Sequence, residues 1–359
     1  MCPRRTWQAS PQICSRSTAE CPPNTVTDPG LATFPLGDVV LGSGETLPGA
    51  YITCETVGEL NAAGDNAIIM PTHFGGTHEH SRYLIGPGRA LDPSRYFIVI
   101  INLIGNGVSV SPSNSSGADF PVVSVADNVR LQRRMLRDAF GVDRVALAVG
   151  HSMGAIQAYH WAALFPDAVE RVGAICGAAR ISDHNDVFLA GLHSILTADP
   201  AWQGGRYAEQ PVLGLRTLAR AWSAWPPSAH FYRHACYKQL GYTSLADFIK
   251  RYWEDTYTAM DANNVLTQIA TWRTADIGAL GNYGGDFAAA LNAISARVVV
   301  MPSRTDAYFP PEDSEIEVRH LRHGRLRTIE SGWGHWAGSG RNMADTDFID
   351  RQLSDLLGR

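Results

Sequence analysis

Apolar residues in this chain gather into short, nearly uniform runs. Ala67-Ile68-Ile69-Met70-Pro71, Tyr96 to Ile101, Arg144 to Val149 and Glu170 to Cys176 are four of them. Runs that are apolar on both faces predict strands of a parallel sheet covered by helices on each side. Asp127 to Phe140 predicts an amphipathic helix, with Val129, Leu131, Met135, Leu136 and Phe140 near helical spacing. Ala155 to Leu164 predicts a second helix, with Pro166 near its end. From Pro35 to Val57, apolar stretches broken by Gly and Pro predict an antiparallel entry to the sheet. Strand and helix alternation of this kind implies right-handed βαβ units and a doubly wound α/β sheet.

The rhythm breaks between Ala178 and Asn292. That stretch has helical periodicity and many aromatic residues, among them Trp202, Trp222, Trp225, Phe231, Tyr252 and Trp253. It is too long for a loop and reads as an inserted helical cap. Strand character returns at Arg297 to Met301 and at Leu326 to Ile329, and Asp345 to Leu357 predicts a closing helix. The expected division is a flexible tail over 1–30, an α/β core over 31–177 and 293–359, and a cap over 178–292.

Composition narrows the classes. The chain has 359 residues, of which 45 % are hydrophobic and 18 % charged, with a formal net charge of −5. It can bury a large core. It has no block of five or more Lys or Arg, which argues against a nucleic-acid surface or a polybasic membrane patch. No run of about eighteen apolar residues predicts a transmembrane helix. Arg4 and Arg5 are not followed by an apolar stretch, so the N-terminus does not look like a secretory signal, and a cytoplasmic setting is expected. The six cysteines are Cys2, Cys14, Cys21, Cys54, Cys176 and Cys236, with no CxxC pair. Free thiols are expected rather than a disulfide framework or a zinc ribbon.

The candidate chemistry lies in Gly150-His151-Ser152-Met153-Gly154, set between a strand and a helix. A serine at the tip of a sharp strand-to-helix turn needs small neighbours, and the glycines provide that room. The helix that begins there points amides at the site, so the Met153 N–H is one candidate oxyanion donor. A second should come from the loop after an earlier strand, where His73-Phe74-Gly75-Gly76 offers the Phe74 N–H. The acid and the histidine are expected downstream in that order. Asp306 follows a strand by a few residues, and His335 follows the next one, in Ser331-Gly332-Trp333-Gly334-His335. His335 would take the Ser152 proton and return it; Asp306 would hold the imidazole tautomer. Glu312 and Asp313 compete as acids but suit the first turn of the following helix better. His73, His78 and His80 lie in a predicted loop without an i, i+4 pair, which favours oxyanion-loop and pocket-lining roles over a metal site. His151 reads as a packing neighbour. No cofactor is expected.

Several further motifs carry a resemblance. They are Ile85-Gly86-Pro87-Gly88, Leu91-Asp92-Pro93-Ser94-Arg95-Tyr96-Phe97, Asn102-Leu103-Ile104-Gly105, Ala198-Asp199-Pro200-Ala201-Trp202-Gln203-Gly204-Gly205 and Met260-Asp261-Ala262-Asn263-Asn264. With the serine motif, they make the chain resemble the homoserine O-acetyltransferase-like branch of the α/β-hydrolase superfamily, from about Pro35 to the C-terminus. The resemblance implies the α/β-hydrolase fold, an acyl-enzyme on Ser152 with Asp306 and His335, a helical cap, and a homodimer built through that cap. It departs at the substrate end. The arginine that the transferases place on the first cap helix corresponds to His193, and the aspartate after their catalytic histidine corresponds to Trp336. A neutral imidazole cannot copy a guanidinium fork, and a buried charged hydrogen bond is worth roughly 1.5–3 kcal/mol. With His73, His193 and Trp336 lining the pocket, the expected substrate is a small uncharged ester.

Two enzymatic readings share every catalytic residue. In the first, water deacylates the enzyme and the protein hydrolyses short-chain, notably acetyl, esters. In the second, a hydroxyl acceptor takes an acetyl group delivered by acetyl-CoA. A third reading, a silent scaffold, is disfavoured by a serine, an acid and a histidine in the expected order.

Overall fold

The computed structural model describes residues 30–358. One sheet holds β1 (Leu31–Val40), β2 (Thr46–Val57), β3 (Ala67–Pro71), β4 (Phe97–Ile101), β5 (Leu147–His151), β6 (Arg171–Ile175), β7 (Arg297–Met301) and β8 (Gly324–Leu326). Its order is β1-β2-β4-β3-β5-β6-β7-β8. The β1–β2 and β2–β4 pairs are antiparallel, and every later pair is parallel.

Each central strand alternates its side chains between two cores. Ile68, Met70, Ile98, Ile100, Leu147 and Val149 belong to one. Ala67, Ile69, Phe97, Val99, Ile101 and Ala148 belong to the other. This is the two-sided burial that the uniform apolar runs implied.

The helices are α1 (Val125–Phe140), α2 (Met153–Leu164), α3 (Asp183–Thr197), α4 (Val212–Trp222), α5 (Ala229–Arg233), α6 (Leu245–Phe248), α7 (Asp255–Thr258), α8 (Ala262–Arg273), α9 (Phe287–Ala293), α10 (Pro311–His320) and α11 (Met343–Leu357). Ser124 starts α1 through a capping box with Asp127, and Gly141 ends it in the left-handed conformation. Helices α3 to α9 all fall between β6 and β7. A π-helical turn, Ile249–Glu254, joins α6 to α7.

Some boundaries differ from the sequence-based expectation. The β5 strand runs from Leu147 rather than Arg144, because its pairing with β3 begins there and Val145 makes only an isolated bridge to Val169. At the sheet edge β8 is Gly324–Leu326, and Ile329 pairs with Ser303 as a separate bridge. Cys54, Cys176 and Cys236 are buried free thiols; Cys2, Cys14, Cys21 and residues 1–29 of the expected tail lie outside the described residues. Among the described residues, no helix is long and apolar enough to cross a membrane.

Candidate active site

The turn from β5 into α2 places Ser152 at φ 58° and ψ −125°, a left-handed φ that side-chain-bearing residues adopt only under local constraint. The constraint is visible. The Ser152 amide donates to the Ile175 carbonyl on β6 at 2.9 Å, and its own carbonyl accepts from the amides of Ala155 and Ile156 at 2.9 and 3.1 Å. The flanking glycines are sterically required. A Cβ on Gly150 would lie 2.4 Å from the Gly154 carbonyl carbon, and one on Gly154 would lie 2.3 Å from the Pro71 oxygen.

Asp306 lies in the turn after β7, and His335 in a 3₁₀ turn, Gly334–Gly338, before α11. Their side chains meet: His335 Nδ1 and Asp306 Oδ2 are 2.8 Å apart. The other Asp306 oxygen accepts from the amides of Tyr308 at 2.8 Å and Phe309 at 3.3 Å. The carboxylate is thus fixed on both sides, and it in turn fixes the imidazole. The His335 amide donates to the Pro226 carbonyl at 2.8 Å, and the Tyr308 ring stands edge-on to the imidazole with centroids 4.8 Å apart. Glu312 and Asp313 occupy the first turn of α10.

Ser152 and His335 open onto one cavity of about 140 Å³, which His73, Phe74 and Trp336 also line. Sites for drug-sized ligands run to roughly 300–1,000 Å³, so this one suits a small molecule. Met153 opens α2, where first-turn amides have no partner within the helix. On the facing loop the Gly75 amide is committed to Gln268 Oε1 on α8, at 2.8 Å. That bond anchors the loop beside the Phe74 amide. The Phe74 ring packs on Trp222 with centroids 4.6 Å apart, and Trp336 stacks on Trp253 at 5.8 Å and 9°.

A row of imidazoles leads away from His335. Ring centroids are 4.6 Å apart from His335 to His151, 5.5 Å from His151 to His73, and 5.8 Å from His73 to His80. Burial pushes His73 down to about 3 and lowers His151 strongly, so both are neutral. His151 donates from Nε2 to the His335 carbonyl at 3.1 Å, and its Nδ1 is buried without a partner among the described residues. His78 lies apart from the row and bonds to Asn102. His151, Cys176 and His335 offer metal-ligating atoms within 4.8 Å of one another. The hydrogen bonds of His151 and His335 already engage one ring nitrogen of each, and the Cys176 thiol is pushed up strongly by burial, which disfavours the thiolate a metal would need.

One expected pocket residue is elsewhere. His193 is exposed on α3 and lines a separate depression with Trp202 and Asn263. The buried stripe of α3 is Asn185, Phe188, Leu189, Leu192 and Leu196, and the residue after Leu192 is turned about 100° away from it. Conversely, the expectation did not include Tyr252, Trp253 or Arg341, all of which line the Ser152 cavity.

The sequence matches the profile of the alpha/beta hydrolase fold over residues 67–339. It is 37 % identical over 329 residues to an ethyl acetate hydrolase of Pseudomonas veronii, covering 90 % of this chain and 94 % of that one. It is 31 % identical over 343 residues to a homoserine O-acetyltransferase of Symbiobacterium thermophilum, covering 84 % and 88 %. Among solved structures, an acetylester hydrolase from Corynebacterium glutamicum superimposes with a TM-score of 0.89 at 34 % identity, covering 92 % of this chain and 96 % of that one. A strained serine turn, a matching eight-stranded sheet and similarity along most of its length together establish that this chain belongs to the α/β-hydrolase fold family.

Proposed function

We propose that this protein hydrolyses short-chain carboxylic esters, acetyl esters above all, through an acyl-enzyme on Ser152. The observation that carries the reading is that Ser152 and His335 face one small aromatic cavity, with Asp306 holding the imidazole from behind. Ser152 Oγ attacks the ester carbonyl while His335 takes its proton. The amides of Met153 and Phe74 stabilise the oxyanion. His335 then protonates the departing alcohol, and a water activated by the same imidazole releases the acid. Asp306 keeps the proton on Nδ1 and stabilises imidazolium. The relative described as an ethyl acetate hydrolase supports this acyl length.

Residues 178–292 act as a lid, which is supported by the placement of Trp222, Tyr252, Trp253 and Trp272 from that segment in the cavity wall. A homodimer through this lid is supported by Val187 on α3 and Leu213 on α4, which are 71 % and 65 % exposed. A cytoplasmic setting suits the three buried free thiols.

The second reading is acyl transfer from acetyl-CoA to a hydroxyl acceptor, favoured by the similarity to a homoserine O-acetyltransferase. It differs only in what attacks the acyl-enzyme. Purified protein given p-nitrophenyl acetate without any thiol cofactor separates the two. Steady multiple turnover supports hydrolysis; a single burst that continues only when an alcohol acceptor is added overturns it. Ser152→Ala is expected to abolish turnover with the fold intact, and unchanged activity would overturn both readings.

A further inference from the structure

Among the described residues, the wall of the Ser152 cavity is aromatic and histidine-rich, with one guanidinium, Arg341, and no carboxylate. Arg341 follows His335 by six residues, on the loop that leads into α11. That loop is held in place. Gly340 takes φ +76°, and a Cβ there would lie 2.5 Å from the Tyr83 ring, while the Tyr83 hydroxyl donates to the Gly338 carbonyl. The guanidinium carbon lies 4.6 Å from the centroid of the Trp336 ring and 5.5 Å from that of Tyr252. Arg341 Nη2 donates to the Tyr252 hydroxyl at 2.5 Å. Tyr252 belongs to the π-helical turn between α6 and α7. The cation is therefore positioned by aromatic faces and a neutral hydroxyl, and among the described residues no carboxylate forms an ion pair with it.

We infer that Arg341 is a specificity-determining residue that receives a carboxylate carried by the ester substrate. The inference rests on the esterase reading of the same site. A guanidinium presents five N–H donors in a planar fork that matches a carboxylate, and stacking on Trp336 holds the fork without neutralising it. A wall that contains no acid adds no repulsion. Burial chiefly, and then the Arg341 charge, lower the His80 imidazole, so the field of this cation is felt by another group in the cavity wall. The preferred substrates are thus short esters with a carboxylate on either the alcohol or the acyl side. This replaces the uncharged ester expected from His193 and Trp336.

The test compares each carboxylate ester with its uncharged amide of the same shape. Acetoxyacetate against 2-acetoxyacetamide places the charge on the alcohol side. Monoethyl succinate against ethyl succinamate places it on the acyl side. Wild-type protein is expected to prefer the carboxylate in one pair by about tenfold in kcat/KM, mainly through KM, the scale of one charged hydrogen-bond pair. The pair that shows the preference identifies the side. In Arg341→Gln the preference disappears, and Arg341→Lys keeps part of it. A merely structural role would lower both members of a pair alike and leave their ratio unchanged. Protein that turns over p-nitrophenyl acetate but treats both pairs alike overturns the inference and leaves the esterase reading standing. Protein that hydrolyses none of these esters overturns both.

Discussion

Gly75 and Gln268 are 193 residues apart in the chain and joined by a 2.8 Å hydrogen bond from the Gly75 amide to the Gln268 side-chain oxygen. The bond ties the loop after β3 to α8, a helix from the segment between β6 and β7. Gln268 is itself held, since its amide nitrogen donates to the Asn264 carbonyl at 3.2 Å. The position of the Phe74 amide therefore depends on a helix that carries no residue of the serine–histidine–aspartate set.

Gln268→Leu is expected to lower kcat on p-nitrophenyl acetate by about tenfold while leaving the melting temperature within a few degrees. Loss of one oxyanion donor costs roughly 10²–10³ in kcat, and in the role proposed for the Phe74 amide a donor that is displaced rather than removed should cost less. An unchanged kcat would show that the loop is held without Gln268.

Asp306→Asn tests the imidazole tautomer. The asparagine amide keeps the size of the carboxylate, but it can present a donor to Nδ1 and so favour the wrong tautomer. The expected loss in kcat is about 10³–10⁴-fold, read in steady-state assays with circular dichroism as a check on folding. A loss below tenfold would assign the orienting role to another acid.

Glu317 on α10 links helix packing to pH. It accepts from the Ala179 amide at 2.6 Å and the Tyr159 hydroxyl at 2.8 Å, and burial raises its pKa to about 7. Unfolded, the carboxyl loses its proton near 4.5; folded, it keeps it to near neutrality. Between those values the native state binds more protons, so raising the pH weakens the fold, by an order of about 3 kcal/mol in all. Glu317→Gln should lose less stability between pH 5 and pH 8 than the wild type in urea titrations. An equal loss in both proteins would place the effect elsewhere.

The dimer reading predicts that the paired changes Val187→Asp and Leu213→Glu give a monomer by light scattering after size exclusion, with the fold retained. A wild-type protein that is itself monomeric at micromolar concentration would end that reading.

The sheet and the serine turn were legible because their signals are local. Gly150 and Gly154 flank Ser152 with backbone atoms at distances no side chain tolerates, and apolar runs mark the strands on either side. Asp306 and His335 were legible because each follows a strand. Arg341 was not, because its place in the cavity depends on a loop turned at Gly340 and tied to Tyr83, more than 250 positions earlier in the sequence. His193 lies away from the cavity for a simple geometric reason: correspondence to a position on a helix says nothing about which face is buried, and the buried face of α3 carries Leu192 instead.

The π-helical turn Ile249–Glu254 amounts to one residue more than an α-helix would hold between α6 and α7. Tyr252 and Trp253 reach the cavity from it. Removing a single residue from the turn should restore regular winding and rotate every side chain before the deletion by about 100° relative to those after it. A one-codon deletion could therefore recast the wall of this cavity without touching Ser152, Asp306 or His335. Such a change offers descendants of this gene a short mutational route to new substrates, and a deletion variant that folds but alters ester preference would demonstrate it.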